Sequence, residues 1–118
     1  TTITIPSSVV EIENYAFAYC SSLKQIKIPS SVVSFHCCVF TECSSLTKVD
    51  FEEPSSLKAI GGHSFKLCTS LNQISLPSSV EWTSKNIFDG CSSLKEITIP
   101  SCLSKKLKFE KNVKVKKI

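Results

Sequence analysis

The chain has 118 residues, of which 42% are hydrophobic and 20% charged, and its net charge is +4. This length is typical of one small domain, and no apolar run approaches the roughly 18 residues that a transmembrane helix needs. The 3 glycines are too few for the glycine-rich phosphate loops of nucleotide-binding proteins. Two histidines, His36 and His63, leave few general bases for hydrolytic chemistry near neutral pH.

A short pattern repeats along the chain. Prolines, phenylalanines and cysteines each recur at intervals of 23, 25 and 23 residues. The two extra residues of the longer interval are Glu52 and Glu53, just before Pro54. Three columns that share one insertion predict a repeat architecture. The columns are Pro6, Pro29, Pro54 and Pro77; Phe17, Phe40, Phe65 and Phe88; and Cys20, Cys43, Cys68 and Cys91.

Each repeat begins with a predicted β-strand. Apolar residues two apart alternate with polar ones, which is the period of a half-buried strand. Proline then ends the strand, because it has no N–H for a ladder and its φ is fixed. A second apolar path follows through Val9, Val32, Leu57 and Val80, then Ile12, Phe35 and Ile60. The predicted strands are Thr2–Ile5, Gln25–Ile28, Lys48–Phe51, Gln73–Leu76 and Glu96–Ile99.

A repeat of this size cannot bury its apolar side chains alone and needs a neighbour above and below. Residues 1–103 are therefore predicted to form one right-handed solenoid of about five units, whose principal sheet is parallel. Because the sequence lacks an initiator Met and opens inside the pattern, we expect it to be a piece of a longer chain.

The repeat resembles the BspA-like, or treponemal-type, leucine-rich repeat. That pattern, Leu-x-x-Ile-x-Ile-Pro, Val-x-x-Ile and Ala-Phe-x-x-Cys, is followed nearly letter for letter by Leu23 to Cys43 and by Ile3 to Cys20. Departures are Thr83 in an isoleucine column and Val39, Ser64 and Ile87 in an alanine column. The resemblance implies a leucine-rich repeat solenoid with parallel strands on its concave face and turns or short strands on its convex side. It also implies roles in surface adhesion and in protein or matrix binding.

The seven cysteines are an odd number, so at least one thiol is unpaired. The repeated cysteines stack roughly 5 Å apart if strand spacing applies. Their side chains would point in parallel, whereas a disulfide needs converging Cβ atoms. We therefore expect free, buried thiols that act as small hydrophobic groups. A straight ladder of thiolates also cannot surround a zinc ion tetrahedrally.

Two further cysteines, Cys37 and Cys38, follow His36. His63 takes the place of Cys38 one repeat later, so these two side chains are predicted to be neighbours. Cysteine beside histidine is the arrangement of a nucleophile and its base, but no oxyanion hole or orienting carboxylate is evident. Incidental neighbours are the preferred interpretation, with a Cys/His enzyme or an adventitious metal site as alternatives. No catalytic residue, metal or cofactor is predicted.

Residues 104–118 are predicted to be a Lys-rich capping segment. Residues 1–104 carry 7 Lys against 9 acids, whereas residues 105–118 carry 7 Lys against Glu110 alone. Alternation around Leu107 and Phe109, and again around Val113 and Val115, is typical of strands. We expect Leu107 and Phe109 to form a sixth, shortened strand over Ile97 and Ile99, with lysines protecting the sheet edge. Binding of an acidic partner is the alternative, and the absence of Arg argues against nucleic acid.

Partner contacts are predicted on the strand side chains that alternate with the buried ones. These are polar, of mixed sign and without aromatics, which favours a wet or transient interface; a merely solvated face stays an alternative. The predicted partner-binding residues are Gln25, Lys27, Lys48, Asp50, Gln73, Ser75, Glu96 and Thr98.

The predicted function is a non-enzymatic protein-interaction or adhesion module with a protein or extracellular-matrix partner and no small-molecule substrate. The alternative is an intracellular scaffold that contacts an acidic partner through the Lys-rich tail, and the open ends of the array could also join copies of the chain. The compartment stays open. The resemblance favours the cell surface, while free thiols and the lack of an Asn-x-Ser/Thr site suit a reducing interior.

Overall fold

The computed structural model describes residues 2–103 and 113–118. These residues form a parallel-strand β-solenoid, and every pairing between the described strands is parallel. The predicted fold class is therefore confirmed. The strands are β1 Thr2–Ile3, β2 Glu11–Ile12, β3 Gln25–Ile28, β4 Ser34–Phe35, β5 Lys48–Phe51, β6 Ala59–Ile60, β7 Gln73–Ser75, β8 Trp82–Thr83, β9 Glu96–Ile99 and β10 Lys114–Lys117; one turn of 3-10 helix spans Ser101–Leu103.

The strands lie on two sides of the core. On one side, β1, β3 and β5 form one sheet and β7, β9 and β10 form another. On the other side, β2, β4, β6 and β8 form a single four-stranded sheet. Residues of the same repeat column pair with one another, as Ile26 does with Ile3 and Val49. The five predicted strands are thus found in place, with β1 and β7 shorter than predicted.

The prediction of one continuous principal sheet is wrong at a single place. No ladder joins β5 to β7, although both strands are described. The interruption coincides with the insertion of Glu52 and Glu53 directly after β5. On the opposite side, Ala59 pairs with both Ser34 and Trp82. The sheet on that side is therefore continuous through the repeat that carries the insertion. The extra chain length is therefore accommodated on the β5 side alone.

Stacked phenylalanines form the centre of the core. Neighbouring rings of the repeated column lie 5.4, 5.5 and 5.7 Å apart between centroids, with interplanar angles of 10°, 12° and 17°. Phe40 and Phe65 are completely buried, while Phe17 in the first repeat is only partly buried. Phe35 packs against both Phe40 and Phe65. The predicted column is therefore a continuous aromatic stack inside the solenoid.

The repeated cysteines bind the backbone of the preceding repeat. The thiols of Cys43, Cys68 and Cys91 donate to the carbonyl oxygens of Phe17, Phe40 and Phe65 at 3.1, 3.2 and 2.9 Å. All three are free and buried, as predicted, while Cys20 is half-buried. Burial raises the pKa of Cys43 and of Cys91 to about 11. A thiol must be protonated to donate a hydrogen bond, and burial also favours the protonated form of these thiols.

The strand beside β9 comes from a different part of the tail than predicted. β10 pairs with β9 and places Val115 opposite Ile97, so the prediction that Leu107 fills this position is wrong. Leu107 and Phe109 lie outside the described residues. Val113 and Val115 pack against the core, because their alternation offers the same apolar face that the earlier repeats present.

Candidate interaction surface

The eight predicted partner-binding residues lie on one side of the solenoid, here called the principal face. It comprises the outward side chains of β1, β3, β5, β7, β9 and β10. The strand registers arrange the eight in two columns. Six of them are exposed, and Glu96 and Thr98 are half-buried beside β10. One column holds Gln25, Lys48, Gln73 and Glu96, and the other holds Lys27, Asp50, Ser75 and Thr98.

Two of the charged residues on this face already have ionic partners. Lys27 Nζ lies 3.8 Å from Glu52 Oε2, and Lys116 Nζ lies 3.0 Å from Glu96 Oε1. The hydrogen bond from Lys116 lowers the pKa of Glu96. In the described part of the chain, Lys48 and Asp50 take part in no ion pair. These two exposed charges are thus free to bind a partner.

A groove of about 460 Å³ lies where the principal sheet is interrupted. It lies over the facing edges of β5 and β7, which no ladder joins. Six of the eight predicted residues line the groove, the exceptions being Gln25 and Lys27. The lining is Thr47, Lys48, Val49, Asp50, Gln73, Ile74, Ser75, Glu96 and Thr98.

Sequence reasoning missed three charged residues of this surface. Lys114 and Lys116 lie opposite Glu96 and Thr98 and extend both columns. The alternation of Val113 and Val115 was the signal that could have placed them. Glu52 was noticed as part of an insertion, but its side chain accepts from the Ser30 N–H at 3.1 Å and pairs with Lys27. Those contacts lower the pKa of Glu52, the Ser30 hydrogen bond being the main cause.

The loops that follow β2, β4, β6 and β8, here called the turn side, carry the histidine and cysteine cluster. His36 Nε2 lies 3.0 Å from Glu11 Oε1, and its Nδ1 lies 3.7 Å from Glu13 Oε1. Within residues 2–103 and 113–118, these three residues are the only group of three or more potential metal ligands that lie close together. Because each ring nitrogen faces a carboxylate, the geometry is that of an ion triad. The hydrogen bond raises the pKa of His36 and lowers the pKa of Glu11.

Cys38 and His63 are neighbours in the backbone ladder, as their alignment predicts. The Cys38 N–H donates to the carbonyl oxygen of Gly62 at 2.8 Å. The side chains make no hydrogen bond with each other, and His63 Nδ1 has no partner among the described residues. A hydrogen bond with Cys38 raises the pKa of Cys37, whereas a nucleophilic thiol needs a lowered one. The thiolate form of Cys37 is therefore disfavoured.

Comparison with known proteins identifies the repeats. A family model described as the BspA type leucine rich repeat region matches residues 1–114 with 6 copies. The chain belongs to this leucine-rich repeat family. No curated protein matches it. The described residues contain no helix that is long and apolar enough to cross a membrane.

Several solved structures are similar. A leucine rich cell surface protein from Faecalibacterium prausnitzii has a TM-score of 0.83 and 28% identity over 98% of this chain. The pneumococcal vaccine antigen PcpA has a TM-score of 0.75 and 29% identity over 80% of this chain. A leucine-rich repeat protein from Bacteroides ovatus has a TM-score of 0.54 and 28% identity over 99% of this chain. The chain spans 31%, 23% and 42% of these proteins, respectively.

Proposed function

We propose that this leucine-rich repeat array is a non-enzymatic protein-interaction module that binds a protein partner on its principal face, as part of a surface adhesion protein. The observation that carries the proposal is the groove at the interruption of the sheet, where six outward polar residues line the space over two strands that no ladder joins. Similarity to a cell surface protein and to a vaccine antigen supports the surface setting.

The chemistry of the groove favours an extended polar segment of the partner. The groove is lined mostly by polar side chains, among which Lys48 and Asp50 offer charges of opposite sign. Charge complementarity fixes the register of such a segment and speeds its association more than it adds affinity. The interface should therefore be wet, of modest affinity and sensitive to salt.

Site-specific photo-crosslinking tests which surface meets a partner. We would place p-benzoylphenylalanine singly at Gln73 in the groove, at Lys85 on the turn side and at Lys117 on β10, all of which are exposed. Each protein would be irradiated with a panel of purified extracellular-matrix proteins. Crosslinks at Gln73 but not at Lys85 are expected. Crosslinks confined to Lys117 would instead support the alternative of an acidic partner bound by the lysine-rich tail, and crosslinks mainly at Lys85 would overturn the proposal.

A charge reversal then measures the contribution of the face. Lys48→Glu should weaken binding of the crosslinked protein by about tenfold or more, because an attraction becomes a repulsion. Lys85→Glu is the matched control, since it makes the same change in net charge at another exposed lysine on the turn side. Both variants should have the same urea midpoint of unfolding as the wild-type protein. Equal affinity for wild type and Lys48→Glu would contradict the role of the groove.

A further inference from the structure

Cys37 and Cys38 are separate from the cysteines that stabilise the solenoid. Their places in the other repeats are taken by unrelated residue types, so the repeat itself does not require a thiol at either position. Their Sγ atoms nevertheless lie only 2.9 Å apart. The residues in the equivalent columns are Asn14, Gly62 and Lys85 for Cys37, and Tyr15, His63 and Asn86 for Cys38.

The backbone of this dipeptide is held from both neighbouring repeats. The Cys37 N–H donates to Asn14 Oδ1 at 2.8 Å, and the Cys37 carbonyl oxygen accepts from the Tyr15 N–H at 3.1 Å. On the other side, the Cys38 N–H donates to the Gly62 carbonyl oxygen at 2.8 Å. Cys38 also has a φ of 60°, a left-handed conformation that these hydrogen bonds maintain. The fold thus keeps the two thiols together.

Access to the two thiols is unequal. Cys37 is exposed, whereas Cys38 is only 7% exposed. A reagent in solution can therefore reach Cys37 directly, and Cys38 can reach only the sulfur of Cys37. This is the relation between an attacking thiol and a resolving thiol in disulfide exchange.

We propose that Cys37 and Cys38 form a reversible oxidation site, which closes to an intrachain disulfide when a small-molecule disulfide such as glutathione disulfide reacts with Cys37. The Cys37 thiolate attacks one sulfur of glutathione disulfide, and one glutathione thiolate leaves. Cys38, on losing its proton, then attacks the Cys37 sulfur and displaces the second glutathione. Two protein thiols are oxidised, one small disulfide is reduced to two thiols, and the two protons pass to the departing thiolates.

The disulfide should be easy to reverse. The Cys37–Cys38 peptide is trans, because the only cis peptide in the described residues precedes Pro54. A trans peptide holds neighbouring Cα atoms about 3.8 Å apart, whereas disulfides usually join Cα atoms roughly 4.4–6.8 Å apart. The ring closed by adjacent cysteines is therefore strained, and strained disulfides have more oxidising potentials. Millimolar reduced glutathione should reopen it.

The experiment uses the full chain under native conditions. The reduced protein is incubated with glutathione disulfide, quenched with acid, alkylated and digested for mass spectrometry. We expect Cys37 and Cys38 themselves to resist alkylation, and the peptide that contains them to lack two hydrogen atoms. Cys102, which is also exposed, is an internal reference that should carry glutathione instead, and buried Cys68 should be unmodified before denaturation. Formation should speed up with rising pH, because more of Cys37 is then thiolate.

Two variants separate the steps. Cys38→Ser should stop at glutathione bound to Cys37, because no resolving thiol is left. Cys37→Ser should leave Cys38 unmodified, because Cys38 is buried. Circular dichroism shows whether each variant is folded. If a variant does not fold, the result with the wild-type protein alone decides the test. Glutathione persisting on wild-type Cys37, or a peptide that stays fully reduced while Cys102 reacts, would overturn the proposal.

Discussion

Phe40 is the strongest single test of the stacked core. Its ring is completely buried and lies 5.4 Å from the ring of Phe17, 5.5 Å from that of Phe65 and 5.8 Å from that of Phe35. Phe40→Ala removes this ring from between two repeats that cannot close the gap without breaking their own ladders. Substitutions of this kind cost about 3–5 kcal/mol. Phe17→Ala should cost about half as much, because Phe17 has one ring neighbour and is partly exposed.

Urea denaturation followed by circular dichroism measures the difference. With a denaturant slope of about 2 kcal/mol per M, the Phe40→Ala midpoint should fall by about 2 M. The fluorescence of Trp82, the single tryptophan, should report the same transition if the repeats unfold together. Phe65→Ala is the matched variant, because Phe65 is equally buried and also packs against three rings. Small and equal losses, below about 1 kcal/mol at all three positions, would refute the idea that the stack is the core.

Two smaller effects should be measurable by similar means. The attraction between His36 and Glu11 should stabilise the fold between the ordinary pKa values of the two groups, 4.5 and 6.5. It is lost as the pH falls through the lowered pKa of Glu11 or rises through the raised pKa of His36. An NMR titration should show the Glu11 pKa returning towards 4.5 in His36→Gln. Thr83→Val should stabilise by about 1 kcal/mol, because the buried Thr83 hydroxyl has no partner among the described residues; Thr41→Val, whose hydroxyl donates to the Lys66 carbonyl oxygen, should not.

The sequence was sufficient to predict the strand pairings that the repeated columns determine. Side chains at equivalent positions must stack, so the pairing of Ile26 with Val49 followed directly from the 23-residue interval. The identity of the tail strand did not follow. Two segments showed the same alternation, and only the path of the chain decides that Val115, not Leu107, lies opposite Ile97.

Features that depend on backbone geometry were also beyond the sequence. Glu52 and Glu53 were visible as an insertion, but their effect on the ladder between β5 and β7 depends on which side of the repeat absorbs the extra length. Tyr15 and His63 adopt φ values of 60° and 57°, a left-handed conformation that is usually signalled by glycine. Tyr gives no such signal, and His is only moderately enriched in this conformation. The proposed binding groove therefore came from the combination of a predicted face with an unpredicted interruption.

The unequal continuity of the two sides has a mechanical consequence. The sheet of β2, β4, β6 and β8 joins four consecutive repeats, whereas the opposite side lacks a ladder between β5 and β7. A tensile load along the solenoid should be carried by the continuous sheet, and bending that separates β5 from β7 breaks no ladder between them. We therefore expect the array to bend more easily in that direction than in the opposite one. Such bending would open the groove between β5 and β7.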